Sequence, residues 1–323
     1  MTDILIYGAG AIGSFLGYLL SEMPGKNAIE RKRIENVALL GREGHINAIK
    51  EQGLHVDLGG KREVLFFRHC FSSLDEFKAS NYHPRLVIIC VKTYSLPDLS
   101  RELKESGLLE ERFKESLFIL LMNGMGNREA FLKSGLDPAR LQEGITSLGV
   151  LLAGEGRMEL KGRGKTVLQN QIGREDRQFL EKRFSEKGFE IEFSPDFQRQ
   201  QFLKLLVNAT INPTTALTRW QNGVILFPAL KSTVEAVVAE VVAVAAAVGL
   251  AIPEEEALAL VLSVAEKTAA NTSSMLQDVL RGKEMEIEAI NGYIVRQAGD
   301  HGIEVPVNEA MYGMVKSISE LRS

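Results

Sequence analysis

Residues 4–20 read ILIYGAGAIGSFLGYLL. The first four residues predict a short strand, and the apolar periodicity after Gly13 predicts a helix. Between them, Gly8 permits a tight turn, Gly10 lets the backbone approach a pyrophosphate, and Gly13 allows the helix to pack closely on the strand. The amino end of that helix supplies N–H donors and positive potential. The stretch therefore predicts a dinucleotide-binding unit whose contacts come from Gly8, Ala9, Gly10, Ala11, Ile12 and Gly13.

A second strand is predicted over Val37–Leu40, and Arg42 lies just beyond its end. This strand comes about ten residues later than usual, because an insertion follows Met23. An NAD-specific site places a carboxylate at this strand end, whereas the Arg42 guanidinium suits the 2′-phosphate of NADP(H). Glu43 could still bind a ribose hydroxyl, and Arg42 could be a solvated surface residue. We predict NADPH/NADP+ as the cofactor.

Two further apolar runs, residues 85–91 and 117–122, predict buried parallel strands. Lys92 and Asn123 follow these runs directly. Ligands of open α/β sheets bind outside the carboxyl ends of the strands, so we expect Lys92, Asn123 and the glycine loop to meet in one crevice. Taken alone, each residue is equally compatible with ordinary loop chemistry.

The character of the chain changes in two steps after residue 144. Residues 145–152 and 165–168 predict antiparallel strands that extend the sheet, and residues 189–193 predict an edge strand. Pro195 then marks a break, after which only helical periodicity remains. We predict a Rossmann-type α/β domain over residues 1–194 and an all-α domain over residues 195–323. The predicted helices of the second domain are 197–217, 229–248, 254–280, 284–299 and 307–321.

The first of these helices carries a polar stripe in an apolar setting. Lys204, Asn208 and Asn212 are spaced by four residues, which places them along one face. Pro213 lacks a backbone donor, so the helix is expected to bend or end there and to leave carbonyl groups free. The polar groups could serve a ligand, or Lys204 could reach solvent while the asparagines bridge neighbouring helices.

Composition excludes several classes of partner. The chain has 323 residues and a net charge of −4, so no global field attracts nucleic acid or anionic membranes. No secretory signal or membrane-spanning stretch is recognised, and the cytoplasm is the expected compartment. The five histidines lack the spacing of metal ligands, so no metal site is predicted. We expect a small-molecule substrate and allow for a homodimer.

Taken together, the motifs resemble the 2-dehydropantoate 2-reductase (ketopantoate reductase) family over almost the whole chain. The resemblance implies an amino-terminal Rossmann-type domain and a helical domain of the 6-phosphogluconate-dehydrogenase type. The matching segments are Gly8–Gly13, Leu40–Arg42, Val91–Tyr94, Asn123–Gly126, Lys204–Pro213, Asn271–Asp278 and Glu286–Gly292. Three positions depart from the family pattern: the insertion after Met23, Gln201–Phe202 where tryptophan is common, and Met285 where threonine usually precedes the glutamate.

The resemblance also implies roles for individual residues. Lys204 acts on the substrate carbonyl with Glu286 beside it, and Lys92 supplies positive charge near cofactor and substrate. Asn208, Asn212 and Glu286 hold hydroxyl groups, Asn123 and Ser274 hold the carboxylate, and Asn123 and Glu286 also adjoin the cofactor. These roles are chemically sensible, since hydride transfer to a 2-oxo carbon leaves an alkoxide that a protonated lysine stabilises and protonates.

The expected reaction is NADPH-dependent reduction of 2-dehydropantoate to (R)-pantoate, a step toward pantothenate and coenzyme A. A related NADPH-dependent reductase of another 2-oxo acid or an imine is the nearest alternative, because cofactor motifs do not specify the acid. A non-catalytic NADPH sensor would keep the glycines and Arg42 but would not need Lys204 with Glu286.

Overall fold

A computed structural model of the chain describes residues 2–22 and 33–321. It separates into two compact units. The first runs to Met122 and resumes from Arg128 to Phe197, and the second contains Asn123–Asn127 and the chain from Gln198 onward. The sequence-based boundary between residues 194 and 195 therefore differs from this division by three residues and by one short segment. That segment joins the helical unit because the Met125 side chain lies in its apolar core and the Met125 N–H donates to the Ala289 carbonyl at 2.9 Å.

The first unit is built on an eight-stranded sheet. Residues 4–7 form its first strand without a single exposed side chain, as expected of a strand covered on both faces. The strands are β1 Ile4–Tyr7, β2 Ile34–Leu40, β5 Phe67–Phe71, β6 Leu86–Ile89, β7 Leu117–Leu121, β8 Leu141–Thr146, β11 Thr166–Gln169 and β12 Ile191–Ser194. Their order in the sheet is β12-β11-β8-β7-β6-β1-β2-β5, and every neighbouring pair is parallel except β8 with β11.

A separate four-stranded sheet has the order β4-β3-β10-β9. Its strands are β3 Leu54–Asp57, β4 Arg62–Leu65, β9 Gly149–Gly154 and β10 Arg157–Gly162. The prediction of one antiparallel strand over 145–152 is wrong, since the chain leaves the large sheet after Thr146 and enters the small one at Gly149. Moreover, β8 lies parallel to β7, so only β11 extends the large sheet in antiparallel fashion.

Among the described residues of this unit, six helices accompany the two sheets. They are α1 Ala11–Leu20, α2 Glu43–Gln52, α3 Leu74–Ala79, α4 Leu96–Ser106, α5 Asn127–Leu132 and α6 Arg174–Glu186. The end of α1 is tied to the start of β2, because the Asn36 side chain donates to the Leu20 carbonyl and accepts from the Glu22 N–H. The insertion that follows Met23 lies outside the described residues.

The second unit is helical, which confirms the predicted fold class. Its helices are α7 Phe197–Thr218, α8 Lys231–Ala247, α9 Glu254–Lys267, α10 Ser274–Leu280, α11 Asn291–His301 and α12 Pro306–Glu320. Two predicted helices are wrong in extent. The segment 254–280 is interrupted at residues 268–273, where Ser273 caps α10 by accepting from the Leu276 N–H, and 284–299 contains only a 3₁₀ turn before α11.

Helix α7 does not end at Pro213, as one alternative of the prediction had it, but continues for five more residues to Thr218. Its threonines donate side-chain hydrogen bonds to carbonyls of the preceding turn, at Leu206, Thr210 and Thr214. Among residues 2–22 and 33–321, no helix combines the length and apolar character needed to cross a membrane.

Candidate active site

The three glycines of the loop have different surroundings. Gly8 and Gly13 are closely packed against backbone atoms, whereas Gly10 faces open space. Gly8 has a φ of +99°, and a Cβ there would lie 2.7 Å from the Cys90 carbonyl carbon. A Cβ on Gly13 would lie 2.2 Å from the Gly8 oxygen, so α1 can approach the turn only without a side chain at that position. A Cβ on Gly10 would meet no atom within 4 Å. The loop thus fits the pattern in which a dinucleotide phosphate approaches the backbone at Gly10.

The end of β2 is bound to this loop. The N–H groups of Gly8 and Ala9 both donate to the Leu40 carbonyl at 2.9 Å, and Gly41 packs directly on Ala9. Arg42 follows as the N-cap residue of α2, with an exposed side chain. None of the described residues pairs with its guanidinium, so Arg42 is free to bind a ligand anion beside the loop. Glu43, the alternative ribose ligand, is exposed next to it.

Lys92 follows β6, which lies beside β1 in the parallel sheet. Gly8 and Lys92 therefore occur at the same carboxyl edge, and Cys90 connects them because its N–H donates to the Tyr7 carbonyl at 2.8 Å. The Lys92 carbonyl accepts from the Ser95 N–H and so begins a 3₁₀ turn. Asn123, the third residue predicted at this edge, belongs to the helical unit.

A buried histidine supports the helix that carries Arg42. The Gly156 N–H donates to His45 Nδ1 at 2.9 Å, so the proton of the neutral ring lies on Nε2, which donates to the Ser14 hydroxyl at 2.9 Å. Burial lowers the pKa of His45 and favours this neutral form. Sequence patterns gave no sign of this role, because the Gly156 partner is more than a hundred residues away along the chain.

In the helical unit, Asn123 connects the two residues predicted to be catalytic. The Lys204 ammonium donates to Asn123 Oδ1 at 3.2 Å, and Asn123 Nδ2 donates to Glu286 Oε2 at 3.3 Å. The Asn127 side chain in turn donates to the Asn123 carbonyl at 3.0 Å and fixes the loop. Lysine, amide and carboxylate therefore form one hydrogen-bonded chain, with Glu286 almost fully buried.

The environment of Lys204 changes its acidity. Removal from water lowers the pKa of Lys204 to about 8, and the negative charge of Glu286 opposes this shift. An ammonium of this pKa is still mainly protonated at neutral pH, yet it releases its proton far more readily than an exposed lysine. A general acid works best when its pKa lies near the working pH, and Lys204 meets that condition.

Asn208 and Asn212 follow Lys204 at one and two turns of α7. Asn212 is 6% exposed, and neither side-chain amide has a hydrogen-bond partner within residues 2–22 and 33–321. Lys204 and Asn208 are only partly buried, so both amides stay available to a polar ligand along this face of α7.

Ser274 is exposed at the first position of α10, and no described contact joins it to Lys204. Its neighbour Ser273 is buried and lies 2.6 Å from the Thr215 hydroxyl, which donates to the Asn212 carbonyl at 2.9 Å. This pair attaches α10 to α7 at Asn212. Ser273 lies within a segment that matches the family pattern, but its linking role depends on Thr215, which lies outside the matching segments.

Within the part of the chain that the structure describes, no three His, Cys, Asp or Glu residues cluster closely enough to hold a metal ion. The chemistry available is that of an ammonium, a carboxylate and neutral amides. Such a set can bind a polyhydroxylated acid and protonate an alkoxide.

Comparison with known families accounts for both units. The family described as "Ketopantoate reductase PanE/ApbA" matches residues 4–172, and its "C terminal" companion matches residues 196–319. The chain belongs to the ketopantoate reductase family. This oxidoreductase family is the one that the sequence motifs resemble, so that recognition is confirmed.

Curated relatives match most of the chain. The 2-dehydropantoate 2-reductase of Pyrococcus horikoshii is 31% identical over 98% of both chains. The enzyme of the same name from Vibrio cholerae is 30% identical over 88% of this chain and 98% of its own.

Solved structures show the same fold. A ketopantoate reductase from Ralstonia eutropha JMP134 has a TM-score of 0.82 at 26% identity, covering 100% of this chain and 99% of its own. D-mandelate dehydrogenase, in a ternary structure with NADH and anilino(oxo)acetate, has a TM-score of 0.84 at 24% identity and covers 99% of both chains. At that identity the likeness concerns the fold.

Proposed function

We propose that this family member reduces 2-dehydropantoate to (R)-pantoate with NADPH, in the cytoplasm, as a step toward pantothenate and coenzyme A. The observation that carries the proposal is the chain from Lys204 through Asn123 to Glu286, with the free amides of Asn208 and Asn212 beyond it. A protonated lysine of pKa about 8 is the proton donor that a ketone reduction requires.

When bound, NADPH would supply the hydride that the 2-oxo carbon receives. The carbonyl oxygen then becomes an alkoxide, which Lys204 stabilises and protonates, so that one hydride and one proton convert the ketone to an alcohol. Glu286 holds the lysine in its charged form, because its negative charge raises the pKa of Lys204. Asn123 orients the ammonium through the hydrogen bond from Lys204 Nζ.

Substrate recognition is assigned to amides and one hydroxyl. We propose that Asn208 and Asn212 bind substrate hydroxyl groups, since both amides are free for a ligand. Asn123 and Ser274 hold the carboxylate, and Glu286 accepts from a hydroxyl.

The amino-terminal unit is proposed to hold NADPH. Its backbone from Gly8 through Ala9, Gly10, Ala11 and Ile12 to Gly13 contacts the pyrophosphate, and Arg42 pairs with the 2′-phosphate. Lys92 adds positive charge at the same sheet edge. Asn123 and Glu286 are assigned to the nicotinamide end of the cofactor.

The test is NADPH oxidation with a panel of 2-oxo acids by the wild type, Lys204→Ala and a control, Lys231→Ala. Lys231 is an exposed lysine that pairs with Glu235 on the surface of α8. Loss of the general acid should lower kcat on the order of a hundredfold to ten-thousandfold, while the control stays at the wild-type rate. No turnover with any acid would falsify the reductase assignment and favour a sensor.

A second candidate is reduction of another 2-oxo acid or an imine. Met285, which is 4% exposed and directly precedes Glu286, stands where the family usually has threonine. An apolar side chain here removes a hydroxyl next to the proposed site. Turnover of other acids with none of 2-dehydropantoate would select this candidate.

A further inference from the structure

Helix α7 contains a proline that should leave one carbonyl without its helical donor. Pro213 has no N–H, so the carbonyl four residues earlier, at Ala209, loses its usual partner. Ala209 is fully buried, where an unpaired carbonyl costs about 1–3 kcal/mol. The Asn291 side chain fills this role, because its Nδ2 donates to the Ala209 carbonyl at 3.0 Å.

The Glu240 carboxylate fixes the orientation of the Asn291 amide through Asn308, which lies between them in the hydrogen-bond network. Glu240 accepts from the Val307 N–H at 2.9 Å, the Asn308 N–H at 2.8 Å and Asn308 Nδ2 at 2.7 Å. Asn308 must therefore turn its Oδ1 toward Asn291, and Asn291 must turn its Nδ2 toward Asn308, at 3.0 Å. A flipped Asn291 amide would place oxygen against two acceptors.

The acceptor half of Asn291 is unused. Its Oδ1 is buried and has no hydrogen-bond partner among the residues the structure describes. Leaving a buried amide oxygen without a partner costs free energy, so the hydrogen bonds that the Asn291 amide donates have to offset that cost. Both donor hydrogens are engaged, one on Asn308 and one on the Ala209 carbonyl.

The position of this contact connects the two parts of the candidate site. Ala209 immediately follows Asn208 on α7, the helix that carries Lys204 and Asn212. Asn291 begins α11, two residues beyond the end of the 3₁₀ turn Ile287–Ala289 that follows Glu286. One side chain thus bonds the helix of the lysine to the segment of the carboxylate.

We infer that Asn291 is a positioning residue that replaces the helical hydrogen bond removed by Pro213 and holds α7 in register with the Glu286 segment. It touches no reacting group, and it acts through Asn208, Asn212 and Lys204. The kinetic part of this inference rests on the proposed function, and the structural part does not.

The test uses Asn291→Ala, Pro213→Ala and the double variant. Asn291→Ala should raise KM for the 2-oxo acid about tenfold with a smaller effect on kcat, and leave KM for NADPH unchanged. Pro213→Ala restores a backbone N–H that can donate to the Ala209 carbonyl. The double variant should therefore have a KM for the 2-oxo acid close to that of the wild type. Pro213→Ala adds no contact to the substrate. If it restores KM, the effect of Asn291→Ala is not a general loss of stability.

Asn222→Ala is the matched control. Asn222 is another buried asparagine of the helical unit, but its side chain donates to Thr268 on the C-terminal side of α9 and not to α7. It should lower the Tm without changing KM. Should Asn291→Ala fail to fold, Asn291→Leu keeps the side-chain volume while removing the donors.

Amide hydrogen exchange over residues 204–218 separates this inference from the proposed function. Exchange should accelerate in Asn291→Ala and slow again in the double variant, whether or not any acid is reduced. Unchanged exchange together with unchanged KM in Asn291→Ala would overturn the positioning role. An inactive wild type with the expected exchange pattern would overturn only the proposed reaction.

Discussion

The two units prepare their sites by opposite means. The amino-terminal unit offers backbone, since Gly8 and Gly13 are glycines for packing and Gly10 exposes the chain to a ligand. The helical unit offers side chains, with the partly buried Lys204 and Asn123 and the buried Glu286 hydrogen bonded in sequence. A backbone site needs only shape, whereas a side-chain site also needs a controlled charge. Sequence motifs therefore describe the first more completely than the second.

The largest effects should come from alanine in the glycine loop. A Cβ on Gly13 would lie 2.2 Å from the Gly8 oxygen, so Gly13→Ala should destabilise the first unit by about 1–3 kcal/mol and abolish cofactor binding. Gly10→Ala should keep the Tm, because its Cβ meets no protein atom, yet raise the Kd for NADPH on the order of a hundredfold.

Thermal unfolding and NADPH fluorescence measure the two effects separately. Gly299→Ala, a helical glycine whose Cβ also meets nothing, is the control. If Gly10→Ala bound NADPH normally, the backbone at Gly10 would not face the cofactor.

Arg42→Ala tests whether the Arg42 guanidinium of the first unit binds the 2′-phosphate of NADPH. Loss of a charge-assisted pair should reduce the preference for NADPH over NADH about tenfold to a hundredfold, with little change in the KM for NADH. The ratio of kcat/KM for the two cofactors measures it. Arg62→Ala, which removes an exposed arginine paired with Asp57, should leave the ratio unchanged. A preference that survives Arg42→Ala would place the 2′-phosphate elsewhere.

Glu286→Gln tests the controlled charge of the second unit. The carboxylate raises the pKa of Lys204, so its removal lowers that pKa further below about 8. Because the general acid must be protonated, the rate of reduction falls as pH rises through this pKa, and the midpoint should move to lower pH in the variant. Glu288→Gln, at an exposed carboxylate bound to Lys316, is the control. An unmoved midpoint would mean that Lys204 does not govern the profile.

The smallest effect is expected for Thr215→Val. Valine keeps the shape but removes the hydroxyl that joins Ser273 to the Asn212 carbonyl, which should lower the free energy of unfolding by about 1–2 kcal/mol. Denaturant unfolding measures this loss. Thr233→Val, on the partly exposed surface of α8, controls for the change of residue type. If Thr215→Val and Thr233→Val lowered the free energy of unfolding equally, the Thr215–Ser273 pair would not link α10 to α7.

The glycine loop was predictable because each glycine meets one local requirement: a tight turn at Gly8, access of a ligand at Gly10 and close helix packing at Gly13. The division of residues 145–152 between two sheets was not, since Ser147 and Gly149 are only a weak turn signal within a segment that is β-prone on both sides. The break before α10 had a signal, as Asn271, Thr272 and Ser273 are typical of a helix start. The apolar periodicity on either side outweighed it in the prediction.

For the site, spacing alone placed Lys204, Asn208 and Asn212 on one face, since that requires only helical geometry. The lowered pKa of Lys204 could not be predicted, because burial depends on every element packed around it. Nor could the partner of the Ala209 carbonyl, although Pro213 signalled that one was needed. The roles assigned to the site residues, from Lys204 and Glu286 to Ser274 and Arg42, all stay predictions.

The helical unit is discontinuous in the gene, because Asn123–Asn127 is encoded more than seventy residues before the rest of it. A fragment that starts at Gln198 would contain Lys204 and Glu286 without the amide between them, and Ala289 would lose its bond from Met125. Dissection or domain exchange at the start of α7 would therefore give a helical unit that lacks Asn123–Asn127. A working exchange also has to transplant these five residues, which lie within the segment that otherwise forms the first unit.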